Sequence, residues 1–258
     1  MTRRIALEGV DNFRDFGDYP VAGGRRLKRG RLFRSASHGR ATDADLDLIH
    51  GLGIATVVDL RRRNERQRDP SRRHAAFAGA VIDNDLGDDV EDEWLAHLRR
   101  SDLSEASFKR YLIEYYDKAA SDPRHIDLFS RFFRALVASD GAVLIHCAAG
   151  KDRTGILAAL THHLLGVHHD DIVEDYLLTN DEERPALRAP QVVELISGVA
   201  GRAPTLAAVR VAMSVEPSLL ETMFAALTRD HGGLDAYLEQ RLGVDGALKA
   251  TLREHLVD

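Results

Sequence analysis

The sequence predicts an α/β fold: a central sheet flanked by helices, with a helical C-terminal half. Three observations lead there. The strand-like apolar runs ATVVDL (55–60), AVI (80–82) and AVLIH (142–146) all fall in the first 150 residues. From about residue 168 onward only helical patterning is visible. Between the two regions, residues 142–165 read as strand, tight loop and helix in direct succession.

Residues 10–35 carry turn signals at Asp18, Pro20, Gly23, Gly24 and Gly30 around short apolar pieces, so short strands or a hairpin are expected. Thr42 opens a short helix to His50, and Gly51 and Gly53 stop it. The acidic stretch DNDLGDDVEDE (83–93) leads into helical spacing at Phe108, Leu112 and Tyr115 or Tyr116. Pro123 begins a helix to Val137 that carries Ile126, Phe129 and Phe133 on one side. Thr154–Leu165 is a helix ended by Gly166, and helices are expected at 169–179, 185–199, 204–213, 217–231, 233–241 and 246–257. With no internal repeat or low-complexity linker, the 258 residues are expected to form a single domain, in which 86–120 could supply a helical lid.

A net charge of −6 gives no sign of nucleic-acid binding. No segment approaches 18 uncharged apolar residues, so no transmembrane segment is expected. The lone cysteine rules out an internal disulfide and suits a reducing compartment. The first residues do not read as a secretory signal, so a cytoplasmic location is expected, with secretion by a signal-independent route left open.

That cysteine lies in HCAAGKDRTG (146–155). Gly150 can take a positive φ, and the loop Ala148, Ala149, Gly150, Lys151 can curl its N–H groups inward at the start of a helix. The helix N-terminus adds partial positive charge. The result is a cradle for a phosphate-like anion. Arg153 offers a planar fork for two oxygens. Cys147 would sit beneath the phosphorus. An electropositive site favours its thiolate, and a three-unit fall in pKa is worth about 4 kcal/mol of preference for the anion. The chemistry that fits is phosphoryl transfer from a monoester to sulfur, followed by hydrolysis. Thr154 could donate its hydroxyl to the sulfur in the second step, and His146 braces the loop from the other face. N–H groups and Arg153 would stabilise the developing charge, so neither metal nor cofactor is expected. A lone cysteine at a strand end is usually inert, but His, Cys, Arg and Thr at these offsets argue otherwise. The spacing is not that of a nucleotide P-loop.

HCAAGKDRTG resembles the H-C-x5-R-[ST] signature of cysteine-dependent phosphatases. The inner GKDRTG is similar to the bacterial branch of atypical tyrosine/lipid phosphatases that includes the mycobacterial secreted tyrosine phosphatase B. NFRDFG (12–17), LFRSA (32–36), TVVDLR (56–61), DYLLTN (175–180) and GGLDAYLEQRLGV (232–244) match that branch in order. The resemblance implies a cysteine-dependent phosphatase fold, with Cys147 as nucleophile, Arg153 as phosphate clamp and Asp152 as general acid. It implies a phosphotyrosine protein as substrate, with phosphoserine/threonine or a phosphoinositide as further or alternative substrates. Lys151 could then pair with a second phosphate on an inositol ring. It could equally be solvated, or pair with a carboxylate such as Asp59. Other tyrosine phosphatases keep their acid in a W-P-D loop, which is absent around Trp94. Asp59, Asp117 and Asp122 therefore remain alternatives to Asp152.

The basic run RRRNERQR (61–68) could meet anionic groups or be a solvated loop and helix start, and Arg61, nearest the strand end, is its site candidate. The pairs His162/His163 and His168/His169 are adjacent on helices, about 100° apart, which disfavours chelation of one metal ion. Sulfur transfer, arsenate reduction and non-catalytic phosphate binding also use anion loops. The R-T-G helix entry counts against sulfur transfer, the absence of a resolving thiol against arsenate reduction, and the presence of every catalytic residue type against mere phosphate binding.

Overall fold

The computed structural model describes residues 3–180 and 183–258, without side chains for 183–187. The strands are β1 (Arg14–Asp15), β2 (Leu32–Ser35), β3 (Ile54–Asp59), β4 (Ala80–Ile82) and β5 (Ala142–His146). They form one sheet in the order β1-β2-β5-β3-β4. β2, β5, β3 and β4 run parallel, and β1 lies antiparallel on β2 at the edge. The expected short strands at 10–35 are therefore present, joined by a long connection rather than a tight turn.

Alternation along the strands divides the core into two layers. Leu144, Val57 and Phe33 face one way, toward Leu46 of α1 (Asp43–Gly51). Val143, Ile145, Val58 and Leu32 face the other. There they meet Phe129 and Phe133 of α5 (Pro123–Ala138), and Leu157 and Leu160 of α6 (Asp152–Leu165). Thr42 and Asp45 close a capping box at the start of α1, as the Thr N-cap signal suggests. α6 begins at Asp152 rather than Thr154: an acidic side chain in the first turn is favourable beside the helix's positive end.

Three more helices lie between β3 and α5: α2 (Arg63–Arg68), α3 (Glu93–Arg100) and α4 (Glu105–Ala119). After α6 come α7 (His169–Leu177), α8 (Glu183–Ala200), α9 (Leu206–Met213), α10 (Pro217–His231), α11 (Leu234–Gln240) and α12 (Gly246–Leu256). Segment 86–120 divides in two. α4 packs on α9 and α10, whereas α3 packs on α8. Leu98, Phe108, Ile196 and Ala208 give α3, α4, α8 and α9 a small core of their own beside the main one. Among the described residues no helix is long and apolar enough to cross a membrane.

Register places the functional loop. Ser35, His146 and Asp59 are partners across β2, β5 and β3, so these strands end level with one another. The chain leaves the central strand at Cys147, at the carboxyl edge of a parallel sheet, where open α/β folds place their ligands.

Candidate active site

Cys147 is 2% exposed and lines a cleft of about 870 Å³. Ala148, Ala149, Lys151, Asp152 and Arg153 line it too. From Ala148 to Arg153 no backbone N–H donates to a protein acceptor among the described residues. Gly150 and Lys151 are buried, where N–H groups are rarely left this way, so the loop presents a set of unused donors at the cleft.

The loop is held from behind. Gly150 has φ +66°, and a Cβ there would lie 2.5 Å from Ser35 C and O. Only glycine fits. The Gly150 carbonyl accepts from Asn12 Nδ2 at 2.8 Å and from Arg34 Nη2 at 3.1 Å. A trans peptide points its C=O and N–H in opposite directions, so holding the carbonyl behind the loop turns the Lys151 N–H away from those donors. Asp175 anchors both holders. It accepts from Arg34 at 2.6 Å and from Arg14 at 3.1 Å, and Arg14 in turn donates to Asn12 Oδ1. Burial alone would raise the Asp175 pKa, but Arg14 and Arg34 outweigh it and hold the carboxyl well below its ordinary range. The outer motifs NFRDFG, LFRSA and DYLLTN thus meet at the back of the loop.

Arg153 is clamped by a partner absent from the sequence expectations. Its Nη1 and Nη2 donate to Glu65 Oε2 and Oε1 at 2.6 and 2.7 Å, and Nη1 also reaches Leu60 O at 3.2 Å. Burial would raise the Glu65 pKa, but Arg153 lowers it to about 2. Glu65 also accepts from Arg62 N at 2.8 Å, which fixes it at the start of α2. The one signal for it was a single acid within five arginines of RRRNERQR. That run is not a free basic surface. Arg63 and Arg66 pair with Asp85 of the acidic stretch, while Arg62 and Arg68 reach the cleft.

Asp59 and Arg61 do not line the cleft. They form a buried two-bond pair at 2.8 and 2.9 Å, and Arg61 continues to Asp69 O and Ser71 Oγ. Their expected place at the substrate is corrected accordingly: they brace the end of β3. His146 lies 3.6 Å from Asp59 and stacks on His38, and burial pushes its pKa below the ordinary value. It sits on the sheet face opposite the cysteine's core contacts, as a brace would.

Lys151 lines the cleft, is buried rather than solvated, and finds its carboxylate partner in Asp152 rather than Asp59. Its ammonium donates to Ala212 O at 2.6 Å and Ser214 O at 3.1 Å, at the end of α9. Helix C-termini attract cations, and the carboxylate within reach is Asp152 at 3.6 Å, not Asp59. Among the alternative acids, Asp117 is paired with Arg229 at 2.8 Å outside the cleft. Asp122 lines the cleft but caps α5, accepting from Arg124 N at 2.8 Å. Asp152 lines the cleft beside the arginine. The Thr154 hydroxyl is buried and has no hydrogen-bond partner among the described residues. Aromatic side chains of α3 and α4, Trp94, Phe108, Tyr111 and Tyr115, form one wall.

Fold and loop together suit an enzyme that acts on phosphate esters. The tyrosine phosphatase family model matches residues 5–258. A Cupriavidus necator protein assigned as a tyrosine-protein phosphatase is 34% identical over 255 residues, covering 97% of this chain and 87% of that protein. The triple specificity protein phosphatase PtpB of Mycobacterium tuberculosis is 34% identical over 215 residues, covering 74% of this chain and 73% of PtpB. A tyrosine-protein phosphatase of Nostoc commune is 35% identical over 164 residues, covering 62% of this chain and 52% of that protein. The chain belongs to the tyrosine phosphatase family.

Proposed function

We propose that this phosphatase hydrolyses phosphotyrosine in proteins through a phosphocysteine intermediate on Cys147. The observation that carries the reading is the buried sulfur at the foot of a loop whose N–H groups have no protein acceptor among the described residues, beside an arginine fixed by Glu65. The phosphoryl group sits in the cradle, and Arg153, already oriented, binds its equatorial oxygens without reorganisation. The Cys147 sulfur attacks phosphorus. Asp152 gives a proton to the departing phenol oxygen, then takes one from the water that attacks the thiophosphate. The Thr154 hydroxyl, buried without a partner among the described residues, donates to the departing sulfur. Glu65 is a positioning residue.

The aromatic wall beside Cys147 suits a phenyl ring. The cleft is also wide enough for a phosphoserine or phosphothreonine peptide, in keeping with the triple specificity in the name of PtpB. A phosphoinositide headgroup is the second reading. Its support is Arg40, Arg62 and Arg68 along the cleft rather than Lys151, whose ammonium is already engaged.

The test is hydrolysis of an aryl phosphate by wild type and Cys147→Ser. Lost turnover in a variant that still binds orthovanadate or phosphate supports the reading. Retained turnover, or a wild type with none, sinks it. A side-by-side panel of phosphotyrosine peptides, phosphoserine peptides and phosphoinositide vesicles ranks the substrates.

A further inference from the structure

Asp152 is not held by its own helix alone. Tyr116 of α4 donates to Asp152 Oδ1 at 3.0 Å. The Tyr116 and Tyr176 hydroxyls lie 2.6 Å apart, both on buried rings. Tyr176 OH has no other acceptor among the described residues. Its hydrogen therefore goes to the Tyr116 oxygen, and the hydrogen of Tyr116 goes to Asp152. The chain runs in one direction, from Tyr176 through Tyr116 to the carboxylate. Burial raises both phenols above their ordinary range, so both remain donors at every working pH.

From this geometry we infer that Tyr116, backed by Tyr176, is a positioning residue that fixes which oxygen of Asp152 carries the transferable proton and holds the carboxylate for the attacking water. The inference rests on the proposed role of Asp152 as the acid. With Oδ1 occupied by a donor, the proton of the acid form sits on Oδ2. After it leaves for the phenol oxygen, the carboxylate keeps its bond from Tyr116 and is aligned to take a proton from the attacking water. A donor to the charged form favours that form. Tyr116 thus holds the carboxylate through both steps, and Tyr176 supports it by donating to Tyr116.

Other groups facing Asp152 are Lys151 and Arg153 from its own turn, Tyr111 and Tyr115 from α4, and Tyr176 from α7. Glu216 faces Tyr176 from before α10. Lys151 divides its ammonium between two carbonyls and stands 3.6 Å from Oδ2, so Tyr116 is the group in direct contact with Oδ1. The glycine at 155 belongs to the same device. A Cβ there would lie 2.8 Å from the Tyr176 ring and displace it.

The experiment is the pH profile of kcat/KM for wild type, Tyr116→Phe, Tyr176→Phe and Asp152→Asn, each on an aryl phosphate with an acidic phenol and on an alkyl phosphate. Removing a donor to the carboxylate raises the acid's pKa, so the basic limb should move to higher pH. A hydrogen bond to a charged group corresponds to a shift of about one unit. Tyr116→Phe should show that shift, and Tyr176→Phe a smaller one in the same direction. Asp152→Asn should lose the limb and slow the alkyl ester more than the aryl one. A role in stability alone would lower the rate equally at all pH values and leave the limb in place. An unmoved limb in Tyr116→Phe, with the limb lost in Asp152→Asn, overturns the inference and leaves the acid assignment standing. A limb retained in Asp152→Asn, with equal rates on both esters, overturns the acid assignment and the inference with it. Should Tyr116→Phe fold poorly, an unmoved limb in Tyr176→Phe overturns the inference by itself.

Discussion

Arg153 gives both of its terminal nitrogens to the two carboxylate oxygens of Glu65, at 2.6 and 2.7 Å. A planar fork on a planar carboxylate leaves the guanidinium one orientation. The proposed phosphate clamp is therefore aimed before substrate arrives. Removing Glu65 frees the fork and leaves a half-buried cation short of a partner. Glu65→Ala should lower kcat/KM about 10–100-fold, the range expected from losing a charge-assisted bond. Glu65→Gln, which keeps one acceptor, should fall between. Steady-state kinetics on an aryl phosphate checks this, and a wild-type value for Glu65→Ala would remove Glu65 from the account.

Gly150 tolerates no side chain. A Cβ would meet Ser35 and Ala36 backbone atoms at 2.5–2.6 Å, at a φ that L-residues rarely adopt. Gly150→Ala should displace the loop and lower activity by more than about 100-fold, since misplacement near 1 Å already costs that much. Far-UV circular dichroism should remain close to wild type. Activity within a factor of three would show that the cradle does not depend on this glycine.

Asp175 neutralises two buried arginines, Arg14 and Arg34. Asp175→Ala strands both, and breaking a buried pair from one side costs about 3–5 kcal/mol. Urea unfolding should show a loss of that size, together with weaker orthovanadate inhibition because Asn12 and Arg34 lose their anchor. A loss below about 1 kcal/mol would mean that the two arginines find other partners.

Acid should weaken the fold in two stages. Burial lowers His125 from 6.5 to about 4, and it also lowers His38, His146 and His162. A histidine with a depressed folded pKa contributes its full stability above its unfolded value. That stability is lost as pH falls from about 6.5 toward the folded value. Glu65, lowered from 4.5 to about 2, adds a later loss as pH drops from 4.5 toward 2. Tm should therefore fall between pH 7 and 5, before the carboxylates titrate, and His125→Gln should flatten that slope. A Tm independent of pH across this range would refute the histidine account.

The fold was readable wherever the pattern was local. AVLIH became β5 with alternating faces, Thr42 capped α1, and Pro123 opened α5. HCAAGKDRTG also carried its own context, because the strand, the glycine and the helix start are contiguous. Pairings between distant segments could not be read this way. Lys151 looked like a free or substrate-facing cation because nothing near it in sequence shows that the end of α9 will supply two carbonyls. Asp59 and Arg61 looked like site residues because they close an inner strand, yet at two residues' separation they satisfy each other. Glu65 was hidden by the arginines around it. The outer motifs were weak singly because their meaning is joint: Asn12, Arg34 and Asp175 describe one hydrogen-bonded brace only after folding.

The central claim is that Cys147 carries the phosphoryl group. The most direct measurement is rapid denaturing quench of the enzyme at alkaline pH during turnover of an aryl phosphate, followed by peptide mass mapping under non-acidic conditions. The expected result is one phosphoryl group on the peptide containing Cys147, absent in Cys147→Ser and enriched in Asp152→Asn, where water attack is slowed. Turnover at the wild-type rate with no phosphorylated Cys147 peptide, or full activity in Cys147→Ser, would contradict it.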